Sequence, residues 1–152
     1  MDKDFPIESD TFDVVMANQI IEHLYNSDLL VKEIYRVLKK GGYAIVSTPN
    51  LASFHNLIAL LFGKQPFPVH VSTEAILGNS FDPKHGMKHG SKGEIHVRVF
   101  TYEAVKELFV YYGFRVEKIV GVGYYPFPDL IARFLTRIDK KHAVYLTTKV
   151  RK

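Results

Sequence analysis

Two short apolar runs on either side of one amphipathic segment constrain this chain more than any other feature. Phe12-Asp13-Val14-Val15-Met16-Ala17 and Tyr43-Ala44-Ile45-Val46-Ser47-Thr48 are nearly continuous in apolar character. Runs of that kind read as strands covered on both faces, as in a parallel sheet. Between them, Leu30, Ile34, Val37 and Leu38 recur at helical spacing. Asn26 or Ser27 can cap that helix, and Asp28 suits its positive end. Lys39 and Lys40 are expected at its negative end, with Gly41-Gly42 as the stop. Strand, helix and strand joined this closely predict a βαβ unit with a right-handed crossover.

The rest of the chain continues in alternation. Residues 51–62 are mostly apolar over a helical length, which predicts a helix packed on the core. Residues 63–93 hold Pro66, Pro68, Pro83 and several glycines and histidines, and read as one long irregular loop. Thr101 caps a helix over 102–112 that Gly113 closes. A third strand over 114–122, a helix over 129–138 introduced by Pro126 and Pro128, and a last strand over 142–150 follow. This order predicts a layered α/β fold, with residues 1–152 as one domain.

Apolar residues make up 47% of the chain, enough for a packed core. The chain has no cysteine, which excludes disulfides and thiolate metal sites. No apolar run reaches the length of a membrane span, and the acidic, polar first ten residues are unlike a signal peptide, so a cytoplasmic protein is expected. Formal net charge is +4, gathered between Lys84 and Arg98 and from Arg133 onward. These cations are not interleaved with aromatics as a stacking platform requires, so a nucleic-acid partner is not expected.

Several segments in this order resemble the Rossmann-like S-adenosylmethionine-dependent methyltransferases, of the type 11 small-molecule kind. Phe5-Pro6-Ile7 followed by Phe12-Asp13-Val14-Val15 is similar to the family's approach to its fourth strand. Asn18-Gln19-Ile20-Ile21-Glu22-His23-Leu24 resembles the turn after it. Glu33-Ile34-Tyr35-Arg36-Val37-Leu38-Lys39-Lys40-Gly41-Gly42 is similar to the helix leading into the fifth strand. Val99-Phe100-Thr101 and Gly113-Phe114-Arg115-Val116 resemble the later helix and sixth strand. The resemblance implies a truncated Rossmann-like methyltransferase sheet of about four strands, the last antiparallel, with flanking helices.

The family's glycine-rich turn and the acidic residue that binds the ribose diol have no counterpart here. Gly121-Val122-Gly123 lacks the third glycine and the following acid. The chain therefore reads as the carboxyl-terminal portion of the domain, and weak or no S-adenosylmethionine binding by this chain alone is predicted. Loss of the family's first strand would leave 12–17 as an open apolar edge, which predicts a homo-oligomer or pairing with the missing N-terminal half.

The resemblance places Asn18 and Gln19 beside the methionine and sulfonium end of the cofactor, and Asn50 at the border of an unidentified methyl acceptor. His23, next to Glu22, is the candidate general base, because imidazole titrates near neutrality. His85 and His89 have a spacing that can bind zinc on a helix, but Gly86 and Gly90 argue against a helix there, and no metal site is expected. Tyr124-Tyr125-Pro126-Phe127-Pro128 reads either as one wall of an aromatic pocket or as a rigid turn on the sheet.

Overall fold

Asn26 accepts a hydrogen bond from the Leu29 amide through its Oδ1 at 2.9 Å, and so starts helix α1 (Ser27–Val37) between strands β1 (Phe12–Asn18) and β2 (Leu38–Pro49). The computed structural model describes residues 5–90 and 95–152. The opening residues 1–4 and the end of the predicted loop at 91–93 lie outside them. Helix α2 (Phe54–Leu61), helix α3 (Tyr102–Tyr111), strand β3 (Arg115–Val122), helix α4 (Asp129–Ile138) and strand β4 (Tyr145–Arg151) complete the order. Thr101 caps α3 by accepting from the Ala104 amide.

The four strands form one sheet in the order β1-β2-β4-β3. β1 and β2 are parallel, and β4 runs antiparallel to both its neighbours. The predicted α/β fold with an antiparallel last strand is therefore present. α1 and α3 pack together on the sheet, joined where the Tyr112 hydroxyl donates to Asp28 at 2.9 Å. Beneath them Val31, Ile34, Leu38, Ala44, Phe109, Leu146 and Val150 form the center of the core, each at most 1% exposed.

Three expectations are corrected. First, α1 stops at Val37, and Lys39 to Gly42 lie within β2. Leu38 pairs with Phe12 and Tyr43 with Val14, so the intervening residues bulge from the ladder. A Cβ at Gly42 would lie 2.9 Å from the Lys39 carbonyl oxygen and 3.0 Å from that of Asp13, and Gly41 has φ 81°. The glycine pair thus serves a tight bulge, not a helix stop. Lys39 turns to Asp13 at 2.9 Å.

Second, β1 is not covered on both faces. It is an edge strand with Val14 45% and Met16 67% exposed, while Ala17 on the opposite face is buried. Third, α2 does not begin until Phe54, and Leu57, Leu60 and Leu61 are exposed. Its buried residues are Asn56 and Ala59. Asn56 donates to the Asn50 carbonyl at 3.1 Å and accepts from the Phe67 amide at 2.9 Å. Those bonds orient the polar side of the helix inward.

Candidate functional site

In an open sheet with parallel strands, ligands bind beyond the carboxyl ends of those strands. β1 ends here at Asn18, and the next residue, Gln19, takes the left-handed conformation with φ 53°. A non-glycine residue in that region is uncommon and marks a chain that is held in place. The hold comes from β2. The Gln19 amide donates to the Ser47 carbonyl at 3.1 Å, and its side-chain amide donates to Ser47 Oγ at 3.2 Å. Ser47 Oγ in turn donates to Asn18 Oδ1. Asn18, Gln19 and Ser47 line a cleft of about 280 Å³ whose far side is Val122, Tyr145 and Thr147. Both predicted cofactor-side residues are thus brought together, with Ser47 between them.

A second cavity, of about 290 Å³, lies between α2, the 66–83 loop and the start of β4. Its walls include Pro49, His55, Phe67, Pro68, Tyr125 and Tyr145. His55 meets Phe67 edge-on at 4.7 Å and Tyr125 at 5.4 Å. Of the two readings of the 124–128 cluster, Tyr125 serves as wall, whereas Tyr124 is buried and donates to Asp139 at 2.7 Å. Burial, then Asp139, pushes the Tyr124 hydroxyl up to about 12. Tyr145 lines both the cleft and the cavity, so the two spaces adjoin.

Asn50 lies in the cavity wall, 1% exposed. Its side-chain amide donates to the Lys141 and Ala143 carbonyls, both at 2.8 Å, and its Oδ1 accepts from the Ala52 amide at 3.1 Å. These bonds tie the end of β2 to the approach to β4.

Glu22 and His23 occupy a single 3-10 turn after Gln19. Glu22 is 1% exposed, accepts from Thr48 Oγ1 through Oε2 at 3.1 Å, and leaves Oε1 without a partner. Burial, opposed by these contacts, raises its carboxyl above the ordinary carboxylate range. The His23 Nδ1–H donates to the Ile95 carbonyl at 3.1 Å, which leaves Nε2 as the nitrogen turned toward Glu22. That Nε2 is 3.8 Å from Glu22 Oε1.

His96 packs against His23 with ring centres 4.8 Å apart. Burial, then the neighbouring His23 and His70, holds its imidazole down to about 4. Burial does the same at His55, also to about 4. Both rings are therefore neutral near pH 7. Beyond His96 come His70 at 5.5 Å and then His89, 4.8 Å from His70. His85 sits in a turn and His89 in irregular backbone, with Gly86 between them at φ 82°. His89 instead approaches the Ser72 carbonyl at 3.2 Å.

Ser47, His55 and Tyr145 line the candidate site without having been singled out by the sequence, and His96, noted there only beside the loop histidines, packs instead on His23. His55 hides in an apolar helical run, and His96 is remote from His23 along the chain. Only Ser47, one step before the end of a predicted strand, carried a local signal. Gly121 belongs to packing, since a Cβ there would sit 2.5 Å from the Ala143 Cβ.

Residues 2–46 match the model of the methyltransferase domain family. A probable S-adenosylmethionine-dependent methyltransferase of Mycolicibacterium smegmatis is 43% identical over 51 residues, 34% of this chain and 20% of that protein. The mitochondrial ubiquinone biosynthesis O-methyltransferase of Rattus norvegicus is 30% identical over 57 residues, 38% of this chain and 16% of its own length. A solved S-adenosylmethionine-dependent methyltransferase of Thermotoga maritima superposes with a TM-score of 0.61 at 18% identity, over 98% of this chain and 60% of that one. This is a Rossmann-like S-adenosylmethionine-dependent methyltransferase fold. The matched segments cover 20% and 16% of the two curated relatives, and the chain covers 60% of the solved one. Asn18, Gln19 and Ser47 form a polar rim at the end of the parallel pair. Among the described residues no helix is long and apolar enough to cross a membrane.

Proposed function

We propose that this chain supplies the methionine-side contacts and the acceptor cavity for methyl transfer from S-adenosylmethionine to an oxygen, nitrogen or carbon nucleophile. The observation that carries this reading is the meeting, at Tyr145, of the cleft lined by Asn18, Gln19 and Ser47 with an aromatic-walled cavity. The cofactor, when bound, supplies an electrophilic methyl group. Such a transfer depends mainly on alignment of nucleophile and methyl. Asn18, Gln19 and Ser47 orient one partner, and the walls formed by Phe67, Pro68 and Tyr125 position the other and exclude water. Where the acceptor has a proton to lose, His23 is the candidate base, with Nε2 as the accepting atom. Asn50 acts by shaping the cavity wall.

Binding by this chain alone is weak in this reading, since the ribose-binding acid and glycine turn are not among its residues. Amide chemical shifts of the labelled chain with millimolar S-adenosylmethionine test this. Shifts confined to Asn18, Gln19, Ser47 and Thr147 support the reading. Their absence, or shifts only at distant positions, would sink it.

The open edge of β1 favours a second reading, a non-catalytic module that pairs through that strand. Among the described residues β1 is hydrogen-bonded on one side only, to β2. Unpaired backbone along an apolar edge recruits other strands. The partner is then a second copy of this chain or a strand of another chain added to that edge. Sedimentation distinguishes the cases, and a monomer at all concentrations counts against this reading.

A further inference from the structure

We propose that Glu22, His23 and His96 form a binding site for one divalent transition-metal ion of the zinc class. Three observations converge. Their ligand atoms all lie within 4.8 Å of one another. Two buried atoms of the set, Glu22 Oε1 and His96 Nδ1, have no hydrogen-bond partner. An unpartnered carboxylate oxygen in a residue 1% exposed is costly, and a cation is one of the few groups that offset that cost.

The third observation is the surroundings of the ligands. A metal-binding imidazole almost always donates its other N–H to a carbonyl or carboxylate, which orients the ring and sets its tautomer. His23 does so at the Ile95 carbonyl, leaving Nε2 toward Glu22. His96 Nδ1, buried without a hydrogen-bond partner, is a nitrogen still open to a ligand. Glu22 has Thr48 on its second oxygen. The Val97 and Arg98 amides donate to the Glu22 carbonyl at 2.9 and 3.0 Å, which fastens the His96 segment to the Glu22 turn.

Two imidazoles and one carboxylate, with a position left open, match the three-ligand pattern of catalytic zinc sites. Ligands about 2.1 Å from zinc stand about 3.4 Å apart in a tetrahedron, so the set closes by roughly 1 Å on loading. His23, 27% exposed, gives the ion its way in. His96 also lines the aromatic cavity, so an ion held here would lie beside the proposed acceptor space. There the ion would lower the pKa of a bound hydroxyl, taking over the part assigned above to His23. That role rests on the methyl-transfer reading, whereas the binding of the ion does not.

The test uses the whole chain, freed of metal by chelator and dialysis, with zinc chloride as the titrant and cobalt(II) as a spectroscopic reporter. One equivalent should bind, and cobalt should show the intense visible bands of low-coordinate geometry. Glu22→Gln and His96→Ala should each weaken binding by about tenfold or more, with His85→Ala unchanged and melting curves reporting that the variants fold. His96→Gln serves if the alanine variant does not fold. No binding, binding indifferent to His96 and Glu22, or binding lost with His89→Ala alone would overturn the proposal. None of these readouts involves S-adenosylmethionine or an acceptor, so failure here is separate from failure of the methyltransferase reading.

Discussion

Thr48 holds one oxygen of the Glu22 carboxylate at 3.1 Å, and the other oxygen is buried without a partner. The bond joins the end of β2 to the turn after β1, across the parallel pair. Because burial raises the Glu22 carboxyl, folding favours its protonated form. Stability from this group is greatest below the ordinary glutamate value near 4.5 and declines as pH rises through the raised, folded value. In metal-free protein, Glu22→Gln keeps an acceptor for Thr48 and removes the buried charge. Its melting temperature at pH 7 should rise, by roughly 2–4 °C for each kcal/mol relieved. The gain should vanish below pH 4.5 in a melting series across pH.

His55 and His96 give the opposite sign. Their folded values near 4 lie below the ordinary 6.5, so the unfolded chain binds protons first. The stability they contribute is present above 6.5 and is lost as pH falls toward 4. Imidazole proton shifts of metal-free chain should be flat at both residues from neutrality to mildly acid pH. A midpoint near 6.5 at either would contradict the burial described here.

Gly121 tolerates no side chain. A Cβ would lie 2.5 Å from the Ala143 Cβ and 3.0 Å from the Lys140 carbonyl oxygen, two positions held by backbone. Gly121→Ala should destabilise by about 1–3 kcal/mol in denaturant unfolding, the usual cost of forced overpacking. Gly121→Ala with Ala143→Gly should recover part of it.

Met16 on the edge strand is 67% exposed. Met16→Lys should leave melting within about 0.5 kcal/mol of the parent, as surface changes do. If β1 mediates association, the same substitution should shift sedimentation toward monomer, because a lysine on an open edge opposes strand addition.

The helices and strands were largely legible along the chain because their signals are local. Asn26 and Thr101 cap by bonding three residues ahead, and the apolar runs of β1 and β2 announce themselves by composition. Asn18 and Gln19 could be placed because a strand end is a position along the chain. The bulge at Lys39 to Gly42 was misread as a helix end, since a glycine pair serves both and only the Asp13 carbonyl decides between them. The exposure of β1 and of Leu57, Leu60 and Leu61 was equally hidden, because burial depends on which neighbours arrive.

The chain's own order of residues was enough to specify the βαβ unit, the antiparallel last strand expected from family resemblance, and where β1 ends. The gathering of Glu22, His23 and His96 needed the tertiary structure. These groups lie up to 74 positions apart in the chain, and what joins them is the pairing of the Val97 and Arg98 amides with the Glu22 carbonyl. No local propensity encodes that contact. It forms only when the loop after α2 folds back over the end of the sheet.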